Sequence, residues 1–160
     1  MPSFDITSES PKSELGNAVE LANREIKNRF DFKGSDSRVT SDGSSITMYA
    51  DDEFKLGQVY SVLTTKLAKR SVDLRFLQRG KPEKISGDKL KEEIIIRDGI
   101  EKELGKKLIR LFKDNKLKVK ATIQGASVRV AGQKKDVLQQ AMKLAEELKD
   151  QPLQFGNFRD

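Results

Sequence analysis

Two kinds of hydrophobic spacing follow each other within residues 118–148, and this change constrains the fold more than any other feature of the sequence. Apolar and polar residues alternate through 118–124 and again through 127–131, which predicts an antiparallel hairpin that turns at Gly125 and is buried on one face. From Val137 to Leu148 the apolar residues recur at helical spacing, and Asp136 stands where a helix N-terminus favours an anion. The segment therefore predicts a helix that covers the apolar face of a hairpin.

The same order of elements is predicted twice along the chain. A strand at Phe4 and a second strand near Ile94 each lead into a helix, a hairpin, another helix and a strand. Residues 72–77 are predicted to form the last strand of the first set, and residues 80–89, with two glycines and a proline, are predicted to be a loop. We therefore predict an α+β fold with two β-α-β-β-α-β units of ferredoxin-like topology, in which two helices cover one face of each antiparallel sheet.

The composition excludes several classes of chemistry. The sequence has no cysteine and no histidine, so thiol nucleophiles, disulfides, imidazole metal sites and histidine-dependent triads are excluded. We see no paired carboxylates placed for catalysis, and we expect a protein that is not an enzyme and needs no cofactor or metal. No run approaches the length of a membrane span, and Met1–Phe4 lacks the basic start of a signal peptide, so we expect a cytoplasmic protein.

The positive charge is concentrated in the second half. Residues 1–89 contain 15 Lys/Arg and 14 Asp/Glu, whereas residues 90–160 contain 16 and 11. This excess fits either solvated helix faces or a surface that attracts phosphates, and the sequence leaves both open. We predict that Lys118, Lys120 and Arg129 share the open face of the second sheet. Lys134 and Lys135 open the following helix, where free backbone N–H groups favour an anion.

Candidate ligand contacts in the first half are sparser. Tyr49 is predicted to lie on the open face of the first hairpin, with Arg75 on the neighbouring strand, where a ring and a cation together suit a nucleotide. Packing against another domain is the alternative for Tyr49. Arg29 and Lys33 flank a segment with two phenylalanines, and we expect both cations to reach a ligand while Phe30 and Phe32 cap the core. The aromatics of an RNA-recognition motif are absent from the open face of the second hairpin, residues 118–131.

Several stretches together resemble the YajQ family of small bacterial proteins. They are Pro2–Ile6, Arg29–Gly34, Val130–Gln139 and Leu153–Arg159, although Gln133 and Lys135 replace a lysine and an arginine of the usual pattern. The resemblance implies two ferredoxin-like domains with exchanged N-terminal strands. The first domain would span 10–80 and be completed by the strand at 90–98, and the second would span 99–160 and be completed by residues 2–9. Periodicity alone does not distinguish this exchange from simple tandem domains.

The resemblance also implies function. The family is described as nucleotide-binding, and some members as cyclic di-GMP effectors acting on transcription. We therefore expect a phosphorylated nucleotide, with cyclic di-GMP favoured, to bind a basic sheet face of a regulatory protein. The alternatives are an RNA-binding module that uses the open sheet faces and a protein that regulates a transcription factor by direct interaction.

Overall fold

The computed structural model describes residues 1–160, which divide into two compact units. We call Met1–Ser10 with Asp98–Asp160 the terminal unit, and Pro11–Arg97 the central unit. The helices and strands in chain order are β1 (Ser3–Thr7), α1 (Lys12–Asn28), β2 (Arg38–Ser41), β3 (Ser45–Ala50), α2 (Glu53–Lys69), β4 (Leu77–Arg79), β5 (Glu83–Ile85), β6 (Lys89–Ile96), α3 (Lys102–Asp114), β7 (Val119–Gln124), β8 (Ser127–Gly132), α4 (Lys135–Glu146) and β9 (Gln154–Arg159).

The sheet of the terminal unit has the antiparallel order β7-β8-β1-β9. β1 comes from the N-terminus and lies between β8 and β9, with Phe4 opposite Val130 and Ile6 opposite Val128. All four of these side chains are fully buried against α3 and α4, because alternate residues of a strand point to the same face. The other residues of β1 and β8, including Asp5 and Arg129, lie on the opposite face.

The sheet of the central unit has the order β2-β3-β6-β4, and β5 also pairs with β6. β3 and β6 align along their length, with Ile46 opposite Ile94 and Met48 opposite Glu92. The apolar residues on this face pack against α1 and α2, which supply a core that includes Leu63 and Leu67. Burial of such aliphatic side chains, at about 1.5–3 kcal/mol each, is the main stabilising term of a unit this small.

The prediction of an α+β fold with four helices and two antiparallel sheets is confirmed. The turn between β2 and β3 is held by Asp42, whose carboxylate accepts the backbone N–H groups of Ser44 and Ser45 at 3.0 and 2.8 Å. None of the four helices is both long enough and apolar enough to cross a membrane.

Three local predictions are wrong. Residues 72–77 are not one strand: Leu74–Phe76 form a 3-10 turn whose start is capped by Asp73, and β4 begins only at Leu77. Residues 80–89 are not simply a loop, because β5 lies within them and extends the sheet beside β6. Phe30 does not cap the core. The helix ends at Asn28, and the following 3-10 turn leaves Phe30 87% exposed while Phe32 is buried.

Candidate functional site

A cavity of about 720 Å³ lies in the terminal unit, beside the edge strand β7 and the start of α4. We call it the lysine cavity. Its lining residues are Met1, Lys116, Leu117, Lys118, Val119, Lys120, Gln133, Lys134, Val137 and Gln140. The lining therefore contains four lysines and two amides but no carboxylate.

Local sequence explains why these segments converge. Lys118 and Lys120 lie on either side of Val119, which stands opposite Gly132 on β8. A Cβ atom at Gly132 would come within 2.8 Å of Val137 Cγ1, so only glycine allows the chain to leave β8 and enter α4 this closely. The residue that precedes the helix, Lys134, is thereby brought to the rim of the same cavity as the two β7 lysines.

The electrostatics of the lysine cavity are unbalanced. None of its four ammonium groups pairs with a carboxylate in the structure. Like charges held near one another repel, and this repulsion lowers stability unless an anion offsets it. Lys134 also precedes the first turn of α4 without a capping side chain, where a cation opposes the helix dipole. The cavity therefore has the charge and the volume to accept a small anionic ligand.

Arg129, which was predicted to act with Lys118 and Lys120, is occupied elsewhere. It does lie on the same sheet face as Lys120, since it stands opposite Thr122 in the β7–β8 pairing. Its Nε, however, donates to Asp5 Oδ1 at 3.1 Å, and it does not line the lysine cavity. Burial raises the pKa of the Asp5 carboxyl, but hydrogen bonds from Asn157 and Arg129 outweigh that effect and hold this pKa below its ordinary value.

Lys135 is also directed away from the lysine cavity. Its Nζ lies 2.9 Å from Asp160 Oδ1, and both side chains are well exposed. The Lys135 hydrogen bond lowers the pKa of the Asp160 carboxyl. Of the five cations predicted for this half, the structure thus brings Lys118, Lys120 and Lys134 together and pairs the other two with carboxylates.

The prediction that Arg75 stands on a strand beside Tyr49 is wrong. Arg75 lies in the 3-10 turn before β4, where its guanidinium binds the Asp73 carboxylate in a bidentate manner, with Nη2 2.8 Å from Oδ2. The neighbours of Tyr49 across the sheet are Arg38 on β2 and Lys91 on β6. The Arg38 guanidinium carbon lies 3.9 Å from the ring centroid of Tyr49, so one face of the ring is already covered by a cation.

Arg29 is held within its own segment. Its guanidinium forms two hydrogen bonds with Asp31, at 3.0 and 2.7 Å, and a third with Glu25 on α1. The Arg29 hydrogen bond lowers the pKa of the Asp31 carboxyl. Lys33, in contrast, is exposed at the end of the 3-10 turn.

The sequence prediction missed four residues of the lysine cavity that carry chemistry or shape. Lys116 continues the alternate spacing of Lys118 and Lys120, and this spacing was the signal that would have revealed it. Gln133 and Gln140 line the cavity because α4 lies close to β7, and no local sequence pattern reveals this packing. Val137 was assigned to the helical stripe alone. No three acidic residues lie together in a group that could hold a metal ion.

Taken together, the fold and the lysine cavity define a class: an α+β protein of two antiparallel sheets with a basic cavity large enough for a small anionic ligand. The family model described as nucleotide-binding protein YajQ-like matches residues 2–159. The chain therefore belongs to the YajQ-like family, which confirms the resemblance found in its sequence. This membership supports nucleotide binding.

Proposed function

We propose that the protein is a regulatory effector that binds a phosphorylated nucleotide in the lysine cavity, with cyclic di-GMP the best single candidate. The observation that carries the proposal is the cluster of four unpaired lysines around a cavity of about 720 Å³ without any carboxylate. Cavities of roughly 300–1,000 Å³ are typical of sites for small molecules. Membership of a family described as nucleotide-binding supports the same ligand class.

The lining residues contribute to binding in three ways: by charge, by hydrogen bonding and by shape. Lys118, Lys120 and Lys134 are assigned to the phosphate groups, because an ammonium group is a compact donor for phosphate oxygens. Gln133 and Gln140 offer amide donors and acceptors to the edge of a base. The aliphatic side chains of the lining supply an apolar wall.

Binding without catalysis is part of the proposal. The lining residues are lysines, glutamines and apolar side chains, a set that contains no hydroxyl nucleophile beside a base. Regulation, with a transcription factor as the partner, follows from the family resemblance alone, and a cytoplasmic location stays a prediction.

We also propose that each unit is a ferredoxin-like domain and that the two N-terminal strands are exchanged. The sheet orders β7-β8-β1-β9 and β2-β3-β6-β4 support this proposal, because β1 and β6 each occupy the inner position that the first strand of a β-α-β-β-α-β unit takes. On this interpretation residues 10–80 are completed by 90–98, and residues 99–160 by 2–9.

The direct test is calorimetric titration of the full chain with cyclic di-GMP, mononucleotides and a short RNA at two salt concentrations. We expect saturable heat with a nucleotide at low salt and only a shallow fall of affinity with ionic strength, since few phosphates are bound. Absence of heat with every nucleotide at low salt would contradict the proposal.

RNA binding by the open sheet faces is the second candidate function. The observation in its favour is the cation-covered ring of Tyr49, which lies between Arg38 and Lys91 on the open face of the central unit. Several phosphate contacts would give a steep dependence of affinity on salt, which separates this candidate from the nucleotide site in the same titration. The contributions of Arg29, Lys33 and Arg75 to any ligand stay predictions.

A further inference from the structure

A second basic surface, separate from the lysine cavity, lies on the outer face of α3. Five of the thirteen residues of α3 are Lys or Arg and two are acidic, whereas α4 has two of each. Four of the five cations fall on one side of the helix. We call them the α3 stripe: Lys102, Lys106, Arg110 and Lys113.

The spacing of the α3 stripe follows from helix geometry. Residues 102, 106, 110 and 113 lie within an arc of about 80° on a helix of 3.6 residues per turn, and they span roughly 16 Å along its axis. Successive members are about 6 Å apart or less along that axis, a separation comparable with that of neighbouring phosphates along one nucleic-acid strand. All four side chains are exposed.

The α3 stripe has no internal charge partner. None of its four members pairs with a carboxylate in the structure. The fifth cation of the helix, Lys107, lies outside the arc and is held by Asp150 at 2.9 Å. Glu103 and Asp114 lie beside the stripe and line one surface groove together with Lys106 and Arg110, but neither carboxylate forms an ion pair with a member of the stripe.

The opposite face of α3 restricts the kind of partner. Leu104, Leu108 and Phe112 are buried in the core of the terminal unit, so the helix has no apolar face with which to enter a membrane. The stripe also lacks aromatic residues, on which proteins that bind single-stranded nucleic acids commonly stack the bases. What it offers is a straight row of cations for a regular row of phosphates.

From these observations we propose that the α3 stripe docks along the phosphate backbone of a double-stranded nucleic acid, independently of base sequence. Contact with phosphates alone gives affinity without base readout. The stripe is a different surface from the lysine cavity, so this proposal does not depend on the proposed nucleotide function.

The test is fluorescence anisotropy of the full chain with labelled 20-base-pair duplexes, one of RNA and one of DNA, from 50 to 200 mM salt. Four phosphate contacts predict a slope of log affinity against log salt of about −3.6, which is a loss of roughly 100-fold over this range. Binding to either duplex supports the proposal, and the two arms show whether RNA, DNA or both are accepted. Lys106→Ala with Arg110→Ala is expected to reduce the magnitude of the slope by about 2.

Three further variants make the test specific. Lys102→Ala with Lys113→Ala gives the same expected result from the ends of the stripe, in case the first pair fails to fold. Lys27→Ala with Lys69→Ala removes two exposed cations from α1 and α2 and should change duplex affinity less than 2-fold. Lys118→Ala with Lys134→Ala should weaken nucleotide binding but change the slope of log duplex affinity against log salt by no more than about 1. The experiment can therefore contradict one proposal without contradicting the other.

Several outcomes would overturn the proposal. They are absence of duplex binding at 50 mM salt, an equal loss of affinity in the α1/α2 control, and binding only to phosphatidylserine vesicles or polyglutamate.

Discussion

Arg129 Nε donates to Asp5 Oδ1 at 3.1 Å across the pair formed by β1 and β8. This ion pair withdraws Arg129 from the cations that a ligand could contact, because it neutralises the guanidinium on the open sheet face. Asn157 Nδ2 donates to the second oxygen of the same carboxylate at 2.7 Å. The Asp5 carboxylate thus joins three strands, β8, β1 and β9, and its role is one of stability.

We predict that Asp5→Asn makes the protein less stable at pH 7 by about 1–2 kcal/mol, since a charge-assisted hydrogen bond is lost. The pKa of Asp5 is lowered in the folded state, so the stabilisation is present above the unfolded value of about 3.9 and is lost as the pH falls through the lower, folded value. The difference in free energy of unfolding between the wild type and Asp5→Asn should therefore become smaller below about pH 4. Urea unfolding at pH 7 and pH 3 measures it, with the exposed Glu20→Gln as control. A gap that stays constant with pH would contradict this assignment.

Substitution of Lys118 and Lys134 by alanine is predicted to weaken nucleotide binding about 10- to 100-fold, because each lost charge-assisted contact contributes roughly 1.5–3 kcal/mol at most and lysines at a cavity rim are partly solvated. Calorimetric titration of the double variant measures the loss. Lys135→Ala is the matched control, since it removes a neighbouring lysine whose ammonium group binds Asp160 instead of lining the cavity. An equal loss in both would show that net charge, and not the cavity, binds the ligand.

The secondary structure was largely predictable from the sequence, because strands and helices follow from the spacing of apolar residues over short stretches of the chain. Alternation in residues 118–131 and helical spacing after Val137 correspond to β7, β8 and α4. The segment before β4 was mispredicted because Asp73 caps a 3-10 turn where alternation suggests a strand. Periodicity does not show which N-terminal strand enters which sheet, since β1 and β6 carry the same pattern.

The candidate site was only partly predictable for the same physical reason. Lys118 and Lys120 share a face by strand geometry, and Lys134 follows the hairpin closely, so a short stretch of chain brings all three to one cavity. The pairing of Arg129 with Asp5 joins residues 124 positions apart, and no local pattern reveals it. The clustering of cations in the sequence therefore indicated a basic region. It did not show which of these cations form ion pairs with carboxylates of the protein.

The buried carboxylate of Glu92 provides a stability prediction for the central unit. Glu92 is 2% exposed and accepts two hydrogen bonds from Arg79, at 2.7 and 2.9 Å, while the guanidinium of Arg79 stacks on Tyr60 at 3.8 Å. Arg79→Ala leaves the carboxylate buried and unpaired, and we expect a loss of about 2–4 kcal/mol, below the full range for a buried pair because Arg79 is partly exposed. Denaturant unfolding measures the loss. Replacement of both Glu92 and Arg79, by Leu and Met, should restore much of the lost stability, because no unpaired charge is then buried. A double variant as unstable as Arg79→Ala would show that the pair stabilises the unit by more than mutual neutralisation.

Gly99 gives a test of backbone constraint in the terminal unit. Its φ of +92° lies in the region that favours glycine, and a Cβ atom there would come within 2.8 Å of the Ala126 Cβ. Its N–H donates to the Ser8 carbonyl at 2.6 Å, so the backbone is not free to move away. We expect Gly99→Ala to lower the free energy of unfolding by about 2 kcal/mol or more. Gly16→Ala, in an open position of α1, should raise it by about 0.5–1 kcal/mol, because alanine is the better helix former. Thermal and urea unfolding of both variants measure the contrast, and equal stability of the two would show that the turn at Gly99 is not constrained.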